Sequence, residues 1–147
     1  MTVNRNGKGI TWPSEKRTFR DRISGAAVTQ LTDYRSHSFH LYFTNNGFYG
    51  EGRLLFGSDR SGVTNLFSLD LHSGQITQLT DLEKGKPSNI QGAFVHPSGH
   101  EAYFISGDSI IGIDLQTLEE RAVYTAPAGT GLEASAVRLT DSGSVSG

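Results

Sequence analysis

The chain has no cysteine, so it can form neither a disulfide framework nor a thiolate metal site, which is compatible with a reducing cytoplasm. Charge of one sign is also missing. With 13 basic against 15 acidic residues and a formal net charge of −2, there is no electrostatic footprint for nucleic acid or for an anionic membrane. Long apolar runs are absent as well; fragments such as "SIIGIDL" fall far short of the roughly 18–20 residues needed to span a bilayer. The opening "MTVNRNGKGITWPSEKRTFR" is polar and basic without the apolar centre of a secretory signal. These absences point to a soluble chain and leave small ligands as the open class.

What is present favours strands. Hydrophobic residues make up 35% of the 147, aromatics 10%, and there are 18 glycines. The aromatic and β-branched residues lie in short runs between turn signals, the pattern of an all-β fold. Methionine and tryptophan occur once each. Gly7, Gly9 and Pro13 interrupt any pattern before "KRTFRD", so residues 1–16 are expected to form a loose leader.

An internal repeat organises the rest. "VTQLTD" at 28–33 recurs as "ITQLTD" at 76–81, an interval close to the roughly 40–50 residues of propeller repeats. Between them, "HLYFT", "RLLFGSD", "NLFSLDL" and "QITQLTD" read as four strands joined by turns. "GAFV", "EAYFIS", "IIGIDL" and "RAVYTA" repeat that order, with Phe56 matching Phe104 and Asp70 matching Asp114. In "NLFSLDL", alternation puts Phe67, Leu69 and Leu71 on one continuously apolar face, which a lone four-stranded sheet cannot cover and a neighbouring blade must. The expected architecture is therefore a set of four-stranded antiparallel β-propeller blades. Residues 17–33 give a strand closing a blade, 34–81 a blade, 82–127 a second, and 128–147 the start of a further, truncated one. "VRLTD" at 137–141 can alternatively be read as another closing strand. About two and a half blades do not close a ring of four to eight.

In a propeller the loop from the last strand of one blade to the first of the next shares a face with the loop between the second and third strands. Here those loops are "DYRSHSFH" (33–40) and "SDRSGVT" (58–64). They and the strand beginning at His40 bring Arg35, His37, His40, Tyr42 and Arg60 towards one channel mouth, where guanidinium and imidazole groups suit a carboxylate-bearing ligand. Each has a structural alternative. His40 and Tyr42 can fill the layer between blades, and His37 can be a solvated loop residue. "SDRSG" reads as a tight turn in which Asp59 accepts backbone hydrogen bonds and Gly62 supplies a positive φ. His96 and His100 in "HPSGH" have metal-pair spacing but no third ligand nearby, and they flank a turn on the opposite face. His72 sits in an exposed turn. No nucleophile elbow, phosphate loop or HExxH motif is present.

At "ITWPSEKRTFRD", "VTQLTDYRSHSFHLYFT" and "LLFGSDRSGVTNLFSLDLHSGQITQLTD" the chain resembles the amino-terminal part of oligogalacturonate lyases. The last stretch is generic to propellers; the first two are the sharper match. The resemblance implies a seven-bladed propeller of cytoplasmic pectin breakdown that cleaves short, unsaturated galacturonate oligomers by β-elimination, using manganese(II) and a histidine base. It places the metal ligands and the base in later blades, so the segment carries no catalytic residue and no metal ligand of its own. The expected partners are a small acidic oligosaccharide and the remaining blades of the same protein. The competing expectation is a non-catalytic propeller that binds partners or gates a peptidase.

Overall fold

A computed structural model describes residues 7–127, together with the backbone of 138–139 and 145–146. The amino-terminal part carries β1 (Thr11–Trp12), β2 (Arg17–Arg20) and β3 (Ala27–Gln30). Next come β4 (Ser38–His40), β5 (Phe48–Tyr49), β6 (Arg53–Ser58), β7 (Asn65–Asp70) and β8 (Ile76–Gln78). A third set is β9 (Ser88–Val95), β10 (Glu101–Ser106), β11 (Ser109–Asp114) and β12 (Glu120–Thr125). Two two-residue strands, β13 (Arg138–Leu139) and β14 (Val145–Ser146), pair antiparallel. The rest of the expected third blade lies outside the described residues.

Two blades are built as the repeat requires. The second is a plain four-stranded antiparallel sheet in the order β9-β10-β11-β12. The first runs β4-β6-β7-β8 with two additions: β5 also pairs β6, and β1 pairs β8 on the outer edge. The expected inner strand "HLYFT" is thus not continuous. The chain leaves β6 after His40 and turns at Tyr42–Asn45, where Asn45 N donates to Tyr42 O. The turn serves the neighbouring blade. Tyr42 N donates to Gln91 O at 2.7 Å and Asn45 Nδ2 to Ala93 O at 3.0 Å, so backbone polar groups freed from one sheet are satisfied by the next.

Both faces of the first blade are covered. Leu55 and Leu66 point into a core shared with Ile90, Ala93, Phe104 and Ile113 of the second blade. Phe56, Phe67, Leu69 and Ile76 form a separate cluster on the far face, closed by Trp12 and flanked by Leu31 and Leu71. Residues 7–16 are therefore not the loose leader expected. Gly9 N donates to Gln78 O and Gln78 N to Ile10 O, and the Trp12 ring is 4% exposed. An indole of this size buries some 150–250 Å², enough to hold a short polar segment that propensity alone leaves free.

Residues 17–33 also differ from the single closing strand expected: β2 and β3 form a hairpin, paired Arg17↔Gln30 to Arg20↔Ala27. It has the turn of the other outer hairpins. Asp21, Asp70 and Asp114 each accept a backbone N–H from the residue three ahead (Ser24, Ser73 and Thr117), and these bonds hold all three carboxyls below the usual range. The next residue has positive φ each time: Gly25 at 72°, Gly74 at 78° and, unusually, Leu118 at 64°. The hairpin is thus the outer half of one more repeat. Among the described residues β2 has no strand on its other edge.

Candidate functional site

The β3–β4 connection and the β6–β7 turn lie side by side at one end of the first blade. Asp59 joins them, accepting from His37 N at 2.8 Å while its second oxygen lies 3.0 Å from His37 Nδ1. Gly62 takes φ 97° and donates to Asp59 O, as the tight-turn reading requires. Asp59 thus ties its turn to the neighbouring loop as well as shaping it. The second blade has the same proximity, Gly107 N donating to Pro87 O.

The His37 ring contact, followed by its amide bond, lowers the Asp59 pKa. A depressed carboxyl stabilises the fold above its unfolded pKa of about 3.9, and that stabilisation is lost as pH falls through the lower folded value. On acidification below about pH 4, the protection of the His37 amide against exchange, relative to an unfolded chain at the same pH, should therefore fall before that of the blade cores. An Asp59→Asn chain should show no such step, and a wild-type profile equally flat would count against the link.

The five residues singled out above fall into three settings. Arg35 is exposed and has no hydrogen-bond or ion-pair partner among the described residues, while the loop beneath it is fixed on both sides. His37, its side chain 91% exposed, is held among the described residues by Asp59 alone. His40 ends β4, and Tyr42 opens the turn that follows it. His40 Nδ1 sits 3.0 Å from Leu41 O, which only accepts, so Nδ1 must carry the proton and Nε2 is left as the basic nitrogen. Tyr42 is half exposed, its ring 4.6 Å from Phe43. No hydrogen bond or ring contact joins the loop pair to the inner-strand pair.

Arg60 departs from expectation. Its side chain is fully buried, with NH1 2.7 Å from Glu15 Oε2 and NH2 3.3 Å from Glu15 Oε1. Trp12 and Tyr34 lie 5.3 Å from its guanidinium carbon, and Phe67 lies 5.5 Å away. A guanidinium enclosed in this way has no surface for a ligand. The turn "SDRSG" gave no sign of this, because the partner lies 45 residues upstream.

Three residues had drawn no attention as site candidates. Phe43, 83% exposed, lies beside Tyr42 in the turn after β4, and Phe48, 53% exposed, lies on β5 6.4 Å from His40, so each of those two residues has an exposed ring next to it. Glu15 is the third. Phe43 was read as a strand residue, and the broken inner strand is what exposes it.

His96 and His100 find no third ligand among the described residues. His96 Nδ1 accepts from Ser98 N and closes its own turn, and no three His, Asp or Glu side chains among the described residues group to hold an ion. A cleft of about 460 Å³ between the blades, lined by Tyr49, Arg53, His100 and Gln116, lies at the opposite end from the Arg35 loop. No helix among the described residues is long and apolar enough to cross a membrane.

Four-stranded antiparallel units repeated in sequence, packed face to face and stapled at their inner strands, are the blades of a β-propeller. The chain belongs to the oligogalacturonate lyase family, whose sequence profile it matches over residues 6–142. It is 34% identical over 122 residues to an oligogalacturonide lyase of Pectobacterium atrosepticum, covering 82% of this chain and 31% of that protein. With an oligogalacturonate lyase of Dickeya dadantii it shares 33% over 116 residues, covering 75% of this chain and 28% of that one. Two solved structures superpose with a TM-score of 0.75 each. One is an oligogalacturonate lyase from Vibrio parahaemolyticus, 30% identical, covering 83% of this chain and 32% of that one. The other is an oligogalacturonate lyase in complex with manganese, 34% identical, covering 82% and 32%. The chain thus spans about a third of the length of these relatives. The second of these structures holds manganese, an ion that the described residues of this chain do not fit, because no three of their His, Asp or Glu side chains group together.

Proposed function

We propose that these blades serve a lyase that cleaves short, unsaturated oligogalacturonides by β-elimination in pectin breakdown, and that their part is to hold the acidic substrate. The observation carrying this reading is Arg35, an exposed guanidinium with no partner among the described residues, on a loop pinned at both ends; the chain after that loop adds the His40 imidazole and the Tyr42–Phe43 rings. In such an elimination the proton next to the uronate carboxylate leaves and the glycosidic oxygen on the neighbouring carbon departs. The electron pair becomes a ring double bond. A cation on the carboxylate eases the charge that builds up there.

Arg35 is the group suited to pair with a carboxylate, in the two-pronged geometry guanidinium favours. The basic Nε2 of His40 accepts from a sugar hydroxyl, and the Tyr42–Phe43 pair lies under a sugar ring. The base that takes the proton and the manganese ligands are assigned to the remaining two thirds of the relatives' length, and the 147 residues alone are expected to be inactive. His37, bound to Asp59, shapes the loop and can contact ligand only through its exposed edge.

In a protein of the relatives' full length carrying these blades, unsaturated digalacturonate should yield a keto-deoxyuronate product, and a chelator should abolish it. Replacing His40 and Tyr42 with alanine should raise KM about tenfold, the worth of one modest hydrogen bond or stacking contact, with kcat much less changed. Product formation with an unaltered KM would remove the substrate-holding role. Absence of product from any oligogalacturonide, with a partner protein pairing on the free edge of β2, would favour a non-catalytic binding module.

A further inference from the structure

The repeat gives Glu15 a counterpart. Arg17 stands opposite Gln30 as Phe67 stands opposite Gln78, so Glu15, two residues earlier, occupies the place of Asn65 in the next unit. The following loops agree: Gln30 Nε2 donates to Thr32 O at 2.9 Å, and Gln78 Nε2 to Thr80 O at 2.7 Å. Asn65 Oδ1 accepts from Leu82 N at 2.8 Å and from Thr80 Oγ1 at 2.8 Å. Glu15 Oε1 accepts from Tyr34 N at 3.0 Å and Asp33 N at 2.8 Å. Each side chain caps the loop that leads to the next inner strand. In the first unit, however, a carboxylate replaces the amide, and the next blade supplies the buried guanidinium of Arg60 to match it.

The loop capped by Glu15 is the one that presents Arg35. Arg60 also reaches Ser58 Oγ and Ser38 Oγ, at the other end of that loop, so a single cation joins both of its ends. We propose that Glu15 and Arg60 are positioning residues that hold Arg35 ready for a uronate carboxylate. This rests on the substrate reading above. Burying the pair spends Arg60 as a ligand group and leaves Arg35 as the cation the loop displays. A pre-set loop lowers the ordering cost of binding.

The test compares two double variants of this chain, both without the buried charges. Glu15→Ala with Arg60→Met removes the cap, whereas Glu15→Gln with Arg60→Met restores a neutral acceptor like Asn65. Amide exchange at Asp33 and Tyr34 is read by NMR, with Phe56 and Phe67 amides as the internal control. Binding is read by titration with trigalacturonate, with Arg35→Ala alongside. Relative to wild type, the alanine variant should exchange at least about tenfold faster at Asp33 and Tyr34 alone and bind about tenfold more weakly. The glutamine variant should recover most of both.

Equal exchange in the two variants would overturn the cap. Faster exchange with undiminished binding would overturn the positioning role and leave the substrate site standing. If wild type and Arg35→Ala respond to trigalacturonate alike, Arg35 is not the ligand group. The substrate reading and the positioning role would then both fall, while the exchange data would still decide the cap.

Discussion

Replacing Phe67 with alanine should lower the unfolding free energy by about 3–5 kcal/mol, the usual loss for a buried phenylalanine whose cavity cannot collapse. Phe67 is fully buried and its ring lies 5.7 Å from Phe56, in the cluster that Trp12 closes. Because β7 holds that ring from the middle of the sheet, with partners on both edges, little relaxation is open to the site. Urea unfolding followed by fluorescence of Trp12, the single tryptophan, reports on the same cluster. A loss under about 1 kcal/mol would mean that the far face of the first blade is not the core described above.

The second large effect is electrostatic. Glu15→Ala should cost about 3 kcal/mol, because it leaves the Arg60 guanidinium buried without a counter-charge. Glu15→Ala combined with Arg60→Met should cost less than the single change, since no uncompensated charge then remains. Two lysine or arginine pairs nearer the surface provide the contrast. Lys8–Glu120 and Arg121–Glu101 are partly solvated, unlike Arg60, so breaking either should change stability by less than about 1 kcal/mol. Chemical denaturation of the four chains checks the order, and a double variant less stable than Glu15→Ala would contradict it.

Much of the fold was legible because the repeat and the alternation are local. The "RLLFGS", "NLFSLD" and "EAYFIS" strands and the turn glycine Gly62 follow from period two and from turn chemistry. The apolar face of Phe67 and Leu69 was also visible, although the opposite face of β7 proved equally buried by Leu66 against the second blade. Residues 7–16 and Arg60 were not legible. Thr11–Trp12 pairs with Ile76–Thr77, and Glu15 meets Arg60 45 residues further on, so neither contact leaves a mark within any short window. The inner strand failed for another reason. "HLYFT" has good strand propensity, but the turn at Tyr42–Asn45 wins by bonding to Gln91 and Ala93 of the neighbouring blade.

The pairing of β1 with β8 also sets an order of events during synthesis. A ribosome adding roughly 5–20 residues per second takes roughly 3–13 seconds between Trp12 and Ile76, and throughout that interval the indole has no groove to enter. Thr11 and Trp12 must therefore wait, unpaired, for a strand not yet made. Until it docks, Phe56 and Phe67 stay uncovered on the nascent chain, the stretch of time in which a chaperone would find its strongest hold.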